Sequence, residues 1–164
     1  MAVNKNKNTQ ADLVAETKRI LRPEDEALQV AANYEENFGK QVGGYLNNMF
    51  GVWYDPKKWS AENFKVAADS LKGYKDVIKK PPELPKVVAD NPVLKSYLEG
   101  KILERDNDVA GLESREIVAL KQADYSAAYH TVVFGAQKSD AEEGEKASTA
   151  LSAYIKTRLT EIGA

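Results

Sequence analysis

The chain has 164 residues, 43% hydrophobic and 29% charged, with no cysteine, one histidine and a formal net charge of −2. Such a mixture belongs to a folded domain with its own core; the missing cysteine removes disulfides, thiolate nucleophiles and iron–sulfur clusters, and a lone histidine removes multi-histidine metal sites. Residues 1–80 carry 13 Lys+Arg against 11 Asp+Glu and residues 81–164 carry 10 against 14, a balance without the basic stripe that neutralises phosphates, so no nucleic-acid partner is expected.

Residues 1–8 are polar and read as a disordered or extended arm without the apolar run of a signal peptide, which makes the cytoplasm the default location. Thr9 with Asp12 caps a helix carrying Leu13, Val14, Ile20 and Leu21, and Pro23 ends it. Pro23 also suits the first turn of a second helix, where Glu24, Asp25 and Glu26 complement the helix dipole and Ala27, Leu28, Ala31, Tyr34 and Phe38 keep an apolar stripe until Gly39.

The next run, GKQVGGYLNNMFGVWYDPKKW, is unusual because Gln41 to Tyr54 contains no charge. Val42, Tyr45, Leu46, Met49, Phe50 and Trp53 recur at helical spacing, so a helix is predicted, with Gly43, Gly44, Asn47, Asn48 and Gly51 on its back. Those glycines weaken it, and a break at Gly43-Gly44 is the chief risk to that reading. Asp55-Pro56 marks a turn and Ser60 a cap, after which Phe64, Ala67, Leu71, Tyr74 and Ile78 follow heptad spacing over another helix, with Gly73 a blemish. Asp55, Glu62, Asp69 and Asp76 form one seven-residue row and Lys58, Lys65, Lys72 and Lys79 another, as on a solvated outer face.

Pro81, Pro82 and Pro85 cannot sit in a helix interior and read as a stiff linker or hinge. Asn91-Pro92 opens a helix with Val93, Leu94, Tyr97, Leu98 and Ile102, and the polar Arg105 to Asp108 interrupts it. A long helix follows from Leu112 to Phe134, in which Val118, Tyr125, Val132 and Val133 widen the apolar surface and imply a central position. Ser139 with Glu142 has capping-box form, Gly144 delays the last helix to Ser148 or Thr149, and Leu151, Tyr154, Ile155, Leu159 and Ile162 form its stripe. Alternating runs bounded by hairpin turns are absent. The fold expected is all-α: a single-domain bundle of six or seven helices over residues 9–164, with sub-bundles 9–80 and 87–164 joined by a proline-rich hinge at 81–86.

Familiar chemistry is not spelled out. No phosphate-loop or dinucleotide motif surrounds the glycines. Asp106-Asn107-Asp108 starts like a calcium loop, but Ala110 stands at its fifth position and Ile117 at its twelfth, so a polar interhelix stretch is the better account. His130 is six residues from Asp124, too far round a helix for a relay. Glu35-Glu36 and Glu113 with Glu116 are carboxylate pairs of the kind an acidic hydrolase uses, though acids are abundant. No catalytic residue, cofactor or metal ligand is therefore assigned.

What remains is contact. Tyr45, Met49, Phe50, Trp53, Tyr54 and Trp59 are the candidate interaction residues, Gly43, Gly44 and Gly51 the candidate close-packing positions, and Pro81, Pro82 and Pro85 the hinge. The expectation is a non-catalytic helical interaction or structural subunit with a protein partner or self-association, a description that a virus (phage) particle or accessory component fits. Alternatives are a membrane-interacting protein inserting residues 41–54, a small hydrolase with an acidic site, and an inhibitor of a host protein. At ~1.5 Å per residue the uncharged run reaches about 21 Å, too short to span a bilayer but able to lie in its interface.

Overall fold

The computed structural model describes residues 23–135 and 141–164. Among them the protein is all-helical, with five α-helices: α1 (Pro23–Trp53), α2 (Ala61–Lys79), α3 (Lys86–Ala89), α4 (Pro92–Gly135) and α5 (Ala141–Glu161). A single 3-10 turn, Pro56–Lys58, follows α1. The predicted arm, the helix from Thr9 and the capping box at Ser139 lie outside the described residues.

Six or seven helices were expected of residues 9–164; the one from Thr9 lies outside the described residues, two predicted breaks are not there, and the short α3 was not predicted. Gly39 and Gly43-Gly44 lie inside α1, which runs unbroken for 31 residues. An interior glycine costs a helix about 1 kcal/mol. Fully burying Val42, Met49 or Trp53 returns roughly 1.5–3 kcal/mol each, so packing outweighs propensity. Likewise Arg105 to Asp108 interrupts nothing: α4 runs 44 residues through it, about 66 Å at 1.5 Å per residue. These side chains are polar and exposed but helix-compatible, and Arg105 pairs with Asp108 one turn on at 3.6 Å. The sequence that starts like a calcium loop is thus helix, not an interhelix stretch. Gly144 is also helical, so α5 starts at Ala141 rather than at Ser148.

Helix starts follow the expected chemistry. Ser60 Oγ accepts from the Asn63 amide at 3.1 Å, and Asn91 Oδ1 accepts from the amides of Val93 and Leu94 at 3.1 and 3.2 Å. Each satisfies orphan donors of a first turn.

The described residues form two compact units, each assembled from separated stretches: 23–39 with 82–101, and 40–81 with the described part of 102–164. This differs from the contiguous sub-bundles 9–80 and 87–164, because α1 and α4 each contribute residues to both units. In the first unit Ala27, Ala31, Tyr34, Phe38, Val88 and Leu98 are buried. The rings of Tyr34 and Phe38 stack 6.4 Å apart, and Tyr34 donates its hydroxyl to the Pro82 carbonyl at 2.5 Å, tying down one of the prolines read from the sequence as a hinge. Burial raises the Tyr34 phenol above its usual range.

The second unit has the larger core. From α2 it takes Phe64, Ala67, Leu71, Tyr74 and Ile78, the set the heptad spacing predicts. To these are added Val42, Met49, Val52 and Trp53 of α1, Leu112, Ala119, Leu120, Ala123 and Ala127 of α4, and Leu151 and Ile155 of α5.

Candidate interaction surface

The uncharged stretch of α1 has two unlike sides. Val42, Met49 and Trp53 are fully buried, with Trp53 at 2% exposure. Tyr45 and Phe50 are half-buried, and Tyr54 stands 64% exposed. At the C-terminal end of α1 the Phe50 ring meets Trp53 edge-on at 5.9 Å and Tyr54 at 5.6 Å, and the Arg115 guanidinium of α4 lies over it at 5.4 Å. Trp59 is half-buried: its indole donates to the Val52 carbonyl at 3.1 Å and its ring lies 6.4 Å from Phe64. Trp53 is different, since its indole N–H is buried with no hydrogen-bond partner among the described residues. An orphaned donor of this kind costs about 1–3 kcal/mol.

The candidate close-packing glycines meet nothing. A β-carbon placed on Gly43, Gly44 or Gly51 would find no heavy atom within 4 Å. This back is open and small, and no packing among the described residues requires glycine there. The glycine that does carry a close approach is Gly73 of α2, where a β-carbon would lie 2.6 Å from Cε1 of Tyr45. Sequence reading passed over it, since only the facing tyrosine distinguishes it from a weak point in a helix.

A second surface belongs to α4, and here prediction and structure part. Val118 and Tyr125, expected to be central, are 55% and 80% exposed, and Tyr129 is 67% exposed. What occupies the inner sides of the same helix includes its acids. Glu116, buried, receives two bonds from Arg158 of α5, Nε at 2.6 Å and Nη2 at 3.2 Å. Glu113 pairs with Lys75 of α2 at 2.5 Å, and Asp124 accepts from Ser152 of α5 at 2.6 Å. Although burial opposes its charge, Arg158 is raised above the usual guanidinium range by Glu116 and Glu161. With every carboxylate between 111 and 129 engaged by a neighbouring helix, α4 shows outward Ser114, Arg115, Val118, Lys121, Gln122, Tyr125 and Tyr129.

The two surfaces meet at a shallow pocket of about 170 Å³ lined by Trp53, Tyr54, Ser114, Arg115, Val118, Ala119 and Gln122. A larger groove of about 570 Å³ runs where α2, α4 and α5 adjoin, and it holds the Glu116–Arg158 and Glu113–Lys75 pairs together with Lys72, Lys79, Asp69 and Asp76. Its charges are interleaved in sign, and its buried carboxylate is joined to a guanidinium. Of the other acids singled out, Glu35 accepts from the Tyr97 hydroxyl at 3.0 Å and Glu36 is exposed. The side chain of His130 lies outside the described residues. Among the described residues no three His, Cys, Asp or Glu side chains group to hold a metal ion, and no helix is long and apolar enough to cross a membrane.

No protein-family model, curated protein or solved structure matches this chain.

Proposed function

We propose that the protein is a non-catalytic helical interaction subunit and that its contact surface is the outward side of α4 together with Tyr54. One observation carries this: between residues 111 and 129 α4 turns aromatic and aliphatic side chains to solvent while Glu113, Glu116 and Asp124 are engaged by neighbouring helices. A surface helix left to water normally has the reverse pattern. Tyrosine and arginine are the side chains enriched where proteins meet, because each joins a broad apolar body to a polar tip. The α1 aromatics named from the sequence serve this surface unequally. Tyr54 belongs to it, Trp53 and Phe50 support it from beneath, and Met49 holds the core.

The membrane alternative fits the geometry less well, since inserting residues 41–54 would require withdrawing Val42, Met49 and Trp53 from the core. The test is capture of binding partners from the native cell on immobilised wild-type protein and on a Val118→Glu/Tyr125→Glu variant. A protein held in stoichiometric amount by the first and released by the second is the expected result. Equal retention by both, or none by either, removes this surface from the account.

A further inference from the structure

We infer that the pocket beside Trp53 receives Leu28 of a second copy of this chain, so that the protein self-associates. The inference rests on the contact reading above and supplies its partner. The receiving side is apolar and cationic: Val118 and Tyr54 rim the pocket, Arg115 lines it, Lys121 lies exposed on the next turn, and the nearby acids are engaged elsewhere. Its volume of about 170 Å³ matches one apolar side chain, given that about 150 Å³ suffices for a benzene-sized group.

The chain itself carries a matching key. The segment of α1 from 23 to 39 contains Glu24, Asp25, Glu26, Glu35 and Glu36 and no lysine or arginine. On this acidic helix Leu28 is 55% exposed, one turn before the small exposed Ala32. An apolar anchor on an acidic helix is what an apolar pocket lined by a cation selects, and opposite charge steers the encounter. Key and pocket are different surfaces of one chain, so a single contact leaves one key and one pocket unoccupied. The two are filled either reciprocally, in a two-fold dimer, or by further copies in a ring or a filament.

Because the chain has no cysteine, the contact is tested directly with single-cysteine variants. Leu28→Cys and Val118→Cys proteins are purified separately, mixed and oxidised, with Lys156→Cys replacing either one as an exposed control. The mixed Leu28–Val118 disulfide is expected to form at least several-fold faster than either homodimer or either control pair. Rates equal to the controls overturn the inference, and so does dominance of the Val118 homodimer, which would mean that like surfaces pair.

A second experiment follows mass against concentration. Leu28→Glu and Val118→Glu, both surface changes, are each expected to stay monomeric alone, and an equimolar mixture to stop at dimer, since only one competent key and one competent pocket remain. Wild type that is monomeric at every concentration overturns the contact. If Val118→Glu nevertheless abolishes capture of a different protein, the broader contact reading stands; if there is nothing to capture, both fall.

Discussion

Residues 41–54 of α1 and 111–129 of α4 are built on opposite plans. In the first, bulk goes inward and the outward side is small and neutral: Val42, Met49 and Trp53 are in the core, while Gly44, Asn47 and Asn48 face solvent. In the second, acids are drawn into pairs with neighbouring helices and bulk goes outward, at Val118, Tyr125 and Tyr129. Lack of charge along a sequence therefore signals packing at least as well as contact. The stronger pointer to a contact surface is a helix whose polarity is partly inverted.

That contrast can be broken by mutation. Trp53→Ala is expected to destabilise by about 3–5 kcal/mol, as for a fully buried aromatic side chain, whereas Tyr125→Ala should fall within about 0.5 kcal/mol of wild type. Urea unfolding of the two variants decides it, and equal losses would place Tyr125 in the core. Arg158→Ala strands the buried Glu116 carboxylate and should cost on the order of 3 kcal/mol. Arg158→Met/Glu116→Met, which removes both charges, should recover most of that.

Smaller effects sharpen the contrast between open and filled positions. Gly73→Ala drives a methyl into the Tyr45 ring and should lower stability by about 1 kcal/mol after allowing for the gain in helix propensity. Gly44→Ala, on the open back of α1, should raise it by up to about 1 kcal/mol. The same sign from both in thermal melts would mean that Tyr45 does not lie against Gly73.

Alkali supplies a further probe. Burial raises the phenols of Tyr34, Tyr74 and Tyr154 above their usual 10.0. A folded-state value above the unfolded one leaves the contribution complete below pH 10 and removes it as pH rises through the folded value. Melting temperature should hold up to about pH 9 and decline above 10, with tyrosinate absorbance from these residues appearing together with unfolding.

Much of the fold was legible. Spacing alone identified the buried set of α2 and placed Val42, Met49 and Trp53 on one side of a helix, because burial of a stripe leaves a periodic trace. Caps at Ser60 and Asn91 were legible for a similar reason: a first turn needs an oxygen acceptor at a defined place. Breaks were not. Glycine and polar runs carry only local costs, and whether a helix continues through Gly43-Gly44 or Asp106-Asn107-Asp108 depends on packing on either side that no local window contains. Nor does periodicity say which side of a broad apolar helix faces out; that was decided for α4 by Arg158, Lys75 and Ser152, which lie on other helices and claim its acids.

The central claim, that the outward side of α4 with Tyr54 is where this protein makes contact, is most directly tested by tyrosine nitration mapped by mass spectrometry, with and without the associated partner or second copy. The account predicts rapid modification of Tyr54, Tyr125 and Tyr129 in the dilute chain, slow modification of Tyr34 and Tyr74 throughout, and protection of Tyr54 and Tyr125 on association. Association that leaves Tyr54 and Tyr125 as reactive as before would contradict it.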